Sequence, residues 1–471
     1  MVSPHASPGS AILKCDSFTF EECDISAAGQ IALRYRLGNE VEFTETLQFP
    51  LVGELETRRE AIAALQMLHL IGGASYWKAA CPKVIQLESY ELSPKQAEFW
   101  NTVYTKGMGE FFYRNNIDFR GLVNFPAEAE TSSKPAPAGK QTAKRLLVPI
   151  GGGKDSLVTI ELLKKAGYDV TLFRIGKHPV IEALARITGL PLLTVDRHLD
   201  ADLFKLNAEG ALNGHVPITA YNHAVAALVA LLEGFDAVVF SNERSASTGN
   251  VQFHGQEVNH QWSKSMEFEK LFQNYLKEFV TNRVQTFSLL RPWSEVRIAQ
   301  EFVKHPQYLP LATSCNTNWR IAGKKKIHGG AMNPNDLSSV ALAKEEVSGS
   351  WCRSCPKCAF AFALYAAFLP AKDVTDIFGG NLFEDEKLLP TFRELLGVSG
   401  HKPFECVGTP EETRAAFLLA RSRGDLGKSA AQEMFAKEVL PDIKNPDALI
   451  AEALAPANEH AMPEQFLSVL P

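Results

Sequence analysis

Between Arg145 and Leu290 five short apolar runs, "RLLVPI", "VTLFRI", "LPLLTV", "DAVVFS" and "TFSLL", alternate with helical stretches beginning near Ser156, Pro179, Ala220 and Met266. Strands that alternate with helices restrict a chain to crossover connections, and hence to a parallel sheet covered on both faces. The expected fold class is therefore α/β, with a parallel, doubly wound sheet. Such sheets bind ligands beyond the carboxyl ends of their strands, and each polar cluster described below follows a strand end.

Around this centre the chain divides by composition. Residues 1–126 read as an N-terminal α+β domain: "QIALRYRL" and "VEFTETLQF" are strands joined across "GNE", followed by a helix from Thr57 to Ile71 and another over "PKQAEFWNTVYTKGMGEFFYRN". Residues 127–144 have the composition of a linker. Residues 145–385 form the nucleotide-binding domain with its cysteines, and 386–471 are mainly helical, punctuated by prolines. The net charge of -6 argues against a broad nucleic-acid grip. No run of apolar residues is long enough for a membrane span, and "MVSPHASPGSAILKC" lacks the pattern of a signal peptide. The expected location is the cytoplasm. Nothing in the residues fixes an oligomeric state.

The first strand of the alternation ends in Gly151-Gly152-Gly153-Lys154-Asp155-Ser156 and runs into a helix. Glycines let backbone N–H groups approach an anion, the helix adds its positive end, and Ser156 adds a hydroxyl. Asp155 meets phosphate without repulsion only through a bridging Mg²⁺. A Walker loop needs Ser or Thr where Asp155 stands, and the dinucleotide pattern fails at Ser156.

A second cluster follows "DAVVFS". Asn242, Glu243 and Arg244 come first, then His254, Glu257, Asn259, His260 and Lys264 within the next twenty residues. This mixture suits an anionic substrate plus acid–base work, although any one of these residues alone reads as solvated loop. His260 and Lys264 are four apart and would share a face if that stretch were helical.

The chain has eight cysteines, and "WCRSCPKCAFAF" sets Cys352, Cys355 and Cys358 at C-x₂-C-x₂-C, with Cys315 upstream. Four thiolates can hold a tetrahedral Zn²⁺; three buried cysteines before an apolar helix are the competing reading. Cys15, Cys23, Cys81 and Cys406 read as ordinary cysteines, with Cys315 and Cys406 also able to act as a proton-transfer base.

"PIGGGKDS" resembles the S-G-G-x-D-S loop of the PP-loop ATP pyrophosphatases, with Ile150 in place of the leading Ser and an extra Gly. "RIGKHPVIEALARITGLPLLTVD" and "SLLRPWSEVRIAQEFVKHPQYLPLATSC" resemble further segments of that superfamily. Taken with "SNERSASTGNVQFHGQEVNHQWSKS", "SWCRSCPKCAF" and "GHKPFECVGTPEE", the chain resembles the UDP-N-acetyl-α-D-muramoyl-L-alanyl-L-glutamate epimerase family, MurL.

The resemblance implies inversion of the terminal L-Glu of UDP-MurNAc-L-Ala-L-Glu with ATP and Mg²⁺, releasing AMP and diphosphate. It implies that Gly151, Gly152, Gly153 and Ser156 hold phosphate, Lys154 neutralises it, Asp155 holds Mg²⁺ and Arg174 lies near the adenylate. Asn242, Glu243, Arg244 and Asn259 become substrate ligands, and His254, Glu257, His260 and Lys264 the acid–base pool. The alternatives are a tRNA-modifying PP-loop enzyme, favoured by the cysteines and by "GKKKIHGG" (Gly323 to Gly330), or an enzyme forming amides or nitriles from a small acid. A degenerate ATP-binding regulator is a third, which the intact loop disfavours.

Overall fold

Strict alternation makes the first strands. In β2 (Gln30–Leu37) Ile31, Leu33, Tyr35 and Leu37 point inward, the period-2 pattern of a half-buried strand. It pairs antiparallel with β1 (Ser17–Ile25) and with β3 (Val41–Gln48), opposing Tyr35 to both Phe20 and Phe43. β4 (Val84–Leu87) lies parallel to β1. The computed structural model describes residues 15–49, 59–128, 143–315, 317 and 351–471. Most of the expected linker and all of "GKKKIHGG" lie outside the described residues.

The remaining strands of the sheet are β5 (Arg145–Pro149), β6 (Asp169–Ile175), β7 (Leu192–His198), β8 (Ala237–Phe240) and, after the short hairpin β9 (Val251–Phe253) and β10 (Gln256–Val258), β11 (Gln285–Ser288). All five apolar runs of the alternation are strands. The helices between them span Lys154–Lys165, Pro179–Thr188, Ile218–Glu233 and Met266–Tyr275, with an unforeseen fifth over Ala201–Ala208. The strands hydrogen-bond in the order β11-β8-β5-β6-β7-β3-β2-β1-β4, giving an α/β fold on a nine-stranded sheet.

That order has two consequences. From β5 the chain builds outward through β6 and β7, then returns to β5's other side for β8 and β11. The reversal sits beside β5, whose carboxyl end carries the three glycines, and such a switch point opens a crevice for a ligand. The N-terminal meander, in turn, continues the sheet: β3 pairs antiparallel with β7, Leu47 opposite Arg197. There the buried Glu45 carboxylate accepts a bidentate pair from Arg197 (2.8 and 3.1 Å) and the Tyr221 hydroxyl (2.5 Å). A carboxylate so buried is tolerated only when its lone pairs are filled in this way.

The chain divides into two compact units. The first comprises the described residues of Met1–Leu147, Leu193–Val238 and Gln252–Thr286; the second those of Val148–Leu192, Val239–Val251 and Phe287–Pro471. No helix among the described residues is long and apolar enough to cross a membrane.

One expected helix is two. Residues 94–115 form Pro94–Gly107, opened by a Ser93–Gln96 capping box, and Gly109–Asn115, meeting at Met108. Glycine on both sides of Met108 weakens the helix there. Each glycine also lets a neighbour approach: a Cβ on Gly107 would lie 2.9 Å from Pro217, and one on Gly109 3.2 Å from Val258.

Candidate active site

In the second unit the glycine loop leaves β5 at Ile150. Gly152 has φ +81°, a conformation L side chains rarely adopt, and its carbonyl accepts the Thr313 N–H at 2.9 Å. A Cβ on Gly153 would press on Ser314 at 3.4 Å, whereas one on Gly151 would meet nothing within 4 Å. The loop is thus pinned on one side and open on the other. The helix Lys154–Lys165 begins with Gly153 as its N-cap and no capping side chain, so its first N–H groups await an acceptor. Ser156 Oγ stands 3.5 Å from the Gly151 N–H and 3.2 Å from the Gly153 carbonyl oxygen.

Lys154 and Asp155 meet each other. Lys154 is 6% exposed, and its Nζ donates to Asp155 Oδ1 at 2.5 Å and to Glu295. Burial opposes the ammonium charge, but Asp155 and Glu295 outweigh it and raise the pKa above the ordinary lysine value. Glu295, itself buried, also faces Lys357 Nζ at 3.4 Å, and Lys357 donates onward to the Cys406 carbonyl. The result is an alternating row: Asp155, Lys154, Glu295, Lys357. Asp155 Oδ2 has no hydrogen-bond partner among the described residues.

At the end of β6, Arg174 turns back onto the Gly176 and Ile175 carbonyls, while one buried terminal nitrogen has no hydrogen-bond partner. At the end of β8, Asn242 Nδ2 donates to Ser288 Oγ (3.0 Å), the Glu243 carbonyl accepts from Arg291 (2.7 Å), and the Arg244 N–H donates to the Trp293 carbonyl (3.0 Å). Lys402 Nζ closes over this turn, 3.2 Å from the Thr248 carbonyl. Burial pushes the Glu412 carboxyl up to about 7, reinforced by Glu295 and Glu243 and opposed by the Ser245 hydroxyl and Arg244. Glu412 caps its helix through the Thr409 N–H at 3.3 Å; a Cβ on Gly408 would strike its carboxylate at 2.1 Å.

The four cysteines converge. The Sγ atoms of Cys315, Cys352, Cys355 and Cys358 all lie within 4.8 Å of one another, with Cys352–Cys358 at 3.6 Å and Cys355–Cys358 at 3.5 Å. Zinc–sulfur bonds of about 2.3 Å at tetrahedral angles set sulfurs about 3.8 Å apart, so the set fits Zn²⁺. Arg353, φ +62°, makes the tight turn that returns Cys355 and Cys358 toward Cys352. The cluster touches the glycine loop's surroundings twice: Cys315 lies two residues past Thr313, and Lys357 sits between the last two cysteines.

The remaining candidates belong to the first unit and do not gather in one place. His254 (φ +49°) and Gly255 (φ +78°) are the tip of the β9–β10 hairpin, where Glu257 is also exposed. The buried Asn259 turns its side chain onto the Gln261 N–H at 2.8 Å. His260 and Lys264 do not share an α-helical face. That turn leads His260 into a 3₁₀ stretch, Trp262–Lys264, with three residues per turn. His260 instead packs on two residues that the sequence reading passed over. Its Nδ1 contacts Glu110 Oε2, which lies 3.5 Å from His215 Nδ1, and the two imidazole centroids are 4.7 Å apart.

Glu295, Lys357, Lys402 and Glu412 also went unassigned in the sequence. Only Glu412 carried a local signal: Thr409-Pro410-Glu411-Glu412 is a capping box, which foretells a helix start and a buried carboxylate beside it.

Residues 10–289 match the MurL N-terminal domain and residues 311–448 the MurL C-terminal domain. Three curated proteins named UDP-N-acetyl-alpha-D-muramoyl-L-alanyl-L-glutamate epimerase are similar over most of their length. The one from Xanthomonas oryzae pv. oryzae is 39% identical over 95% of this chain and 95% of its own. That from Micromonospora sp. is 36% identical over 98% and 99%, and that from Salinispora tropica 38% over 88% and 86%.

Proposed function

The chain belongs to the MurL family, and from that premise we propose that it is an ATP-consuming isomerase that inverts the terminal L-Glu of UDP-MurNAc-L-Ala-L-Glu to D-Glu. The observation that carries this reading is the near full-length likeness to proteins of that name. A nucleotide-linked peptidoglycan precursor and ATP as co-substrates put the work in the cytoplasm.

The chemistry explains why ATP is needed. A glutamate Cα–H beside an ionised carboxylate is a poor acid, because the carbanion would form next to a negative charge. In the proposed sequence an α-carboxylate oxygen attacks the α-phosphorus of ATP and diphosphate leaves. The acyl adenylate carries no carboxylate charge, so its Cα proton can be removed and one returned to the opposite face. Water then attacks the carbonyl carbon, and AMP departs with the bridging oxygen.

The glycine loop suits the first step. Gly151 is open to an incoming anion, the uncapped helix points N–H groups at it, and Ser156 adds a hydroxyl. The bare nitrogen of Arg174 is suited to an adenylate oxygen, and Asp155 Oδ2 to Mg²⁺, which when bound would neutralise the phosphates. This PP-loop assignment makes Lys154 a fixed charge held by Glu295 rather than a mobile arm. Asn242, Glu243 and Arg244 are proposed to bind substrate. Zinc on Cys315, Cys352, Cys355 and Cys358, when bound, would brace the Thr313–Cys315 segment against the loop.

The test incubates the protein with UDP-MurNAc-L-Ala-L-Glu, ATP and Mg²⁺, and measures AMP and the chirality of the glutamate. D-Glu appearing with AMP, and neither without ATP, is expected. AMP without any inversion would remove the epimerase reading and leave an adenylating enzyme of another kind.

A further inference from the structure

In the first unit three segments that share no motif bring Glu110, His215 and His260 together, one donor atom from each lying within 4.8 Å of the others. Glu110 opens the helix Gly109–Asn115, His215 lies in the loop before Ile218–Glu233, and His260 follows β10. Glycines make the approach possible. Gly107 admits Pro217, two residues past His215, and Gly109 admits Val258, two before His260. Gly214, at φ +155°, admits Phe111: a Cβ there would meet that ring at 3.2 Å. Phe111 and Val258 are buried, so the donors converge in apolar surroundings. Asn115 Nδ2 ties the His215 loop down at the Asn213 carbonyl, 3.3 Å away.

The distances favour a shared ion over hydrogen bonds alone. Arg114 Nε occupies Glu110 Oε1 at 2.5 Å, which leaves Oε2 as the oxygen that faces both imidazoles. The two rings are inclined at 48°, with centroids 4.7 Å apart, and turn both Nδ1 atoms to that oxygen. His260 Nδ1 contacts it directly. His215 Nδ1 stops at 3.5 Å, beyond the about 2.7–2.9 Å of a charge-assisted hydrogen bond. That separation is close to the edge of a tetrahedron, about 3.3 Å, around an ion with bonds of about 2.0–2.1 Å. An ion entering between the three donors replaces the His260–Glu110 hydrogen bond and needs only a side-chain adjustment.

We propose that Glu110 Oε2, His215 Nδ1 and His260 Nδ1 form a site for Zn²⁺ or a first-row divalent ion of like preference, with no ligand in common with the cysteine set. Two imidazoles and one carboxylate suit such ions, whereas Mg²⁺ and Ca²⁺ take oxygen ligands. Arg114 and Lys264 set positive charge nearby, which further disfavours an ion held by charge alone. Arg114 also fixes the carboxylate so that it ligates through a single oxygen, as outer-sphere partners of metal ligands do. Ligation through Nδ1 leaves each ring proton on Nε2. Three protein donors leave a fourth position open. The His215 and His260 side chains are 18% and 16% exposed, so that position takes water or another small oxygen donor. The site is contained in the first unit and stands whether or not the chain is an epimerase.

The experiment dialyses the untagged full chain against EDTA, equilibrates it with Co²⁺, and records bound cobalt and the absorption spectrum for wild type, His215→Ala, His260→Gln and Glu110→Gln. Cobalt on cysteines gives thiolate-to-metal charge transfer in the near ultraviolet. Cobalt on imidazole and carboxylate gives visible ligand-field bands without it. Wild type is expected to bind one cobalt per chain more than His215→Ala, and the difference spectrum to lack the thiolate bands. Affinity at this site should fall by more than about 100-fold in His215→Ala and His260→Gln, beyond the 10–100-fold of an outer-sphere change. Zn²⁺ should displace this cobalt, and excess Mg²⁺ should not. Near-UV circular dichroism checks the fold of each variant. The proposal is overturned if wild type shows only thiolate-bound cobalt, if a folded variant binds the non-thiolate cobalt as tightly as wild type, or if that binding does not saturate at one equivalent. It is equally overturned if Mg²⁺ displaces the cobalt or if none of the three variants folds.

Discussion

The row around Lys154 and the trio around Glu110 are both buried clusters of charge, built to opposite ends. In the second unit two ammonium groups alternate with two carboxylates, and Lys154 is held charged by its neighbours. Such a row fixes a potential at the glycine loop and moves no proton near neutrality. In the first unit one carboxylate faces two imidazoles, and burial holds the His215 ring neutral at pH 7. One cluster fixes alternating charge beside the glycine loop, and the other sets imidazole rings against a single carboxylate.

The difference can be broken at either end. The largest effect on catalysis is expected from Asp155→Asn, which removes the proposed Mg²⁺ ligand. AMP formation should fall on the order of 10²–10³-fold with the fold intact, measured by chromatography of the nucleotides. Full activity would contradict the metal assignment.

The largest effect on stability is expected from Glu295→Gln. It leaves Lys154 and Lys357 buried with one carboxylate fewer, which should cost about 3–5 kcal/mol in a denaturant titration. It should also slow AMP formation. Unchanged stability would contradict the coupling of Lys154 and Lys357 through Glu295.

Elemental analysis is expected to find one zinc per chain more in the wild type than in Cys358→Ser, with AMP formation in the variant weakened by about 10–100-fold through the Thr313–Gly152 contact. Unchanged activity without metal would confine the cysteines to packing.

A smaller effect on stability concerns Glu412, whose carboxyl is pushed by burial up to about 7 from an ordinary value of 4.5. Over that interval the folded state holds a proton that the unfolded state has lost, so stability falls as pH rises from 4.5 to 7. Glutamine keeps the capping geometry and has no proton to lose. Glu412→Gln should remove that decline, gaining up to about 3 kcal/mol over wild type above pH 7 and little below pH 4.5.

What was legible in the sequence follows a physical divide. β2, β3 and the five strands of the alternation were readable because burial imposes a period of two or a short apolar run on local sequence. The glycine loop was readable because its distinctive residues, Gly151 to Ser156, are consecutive in the chain. The cysteines were readable as a group because three of them fall within seven residues. The pairing of β3 with β7 was not, since it joins residues about 150 apart and leaves no local period. Nor were Glu110 and His215. Each is a lone polar residue in ordinary surroundings, "GMGEFFYRN" and "LNGHVP", and gains meaning only beside His260. Glu295 and Lys357 were hidden for the same reason.

The central claim is that the glutamate α-carboxylate is adenylated before its Cα proton moves. The most direct measurement supplies UDP-MurNAc-L-Ala-L-Glu labelled with ¹⁸O in that carboxylate, with ATP and Mg²⁺, and weighs the AMP by mass spectrometry. One labelled oxygen in the AMP, formed together with D-Glu, is the predicted result. D-Glu accompanied by unlabelled AMP would contradict the account.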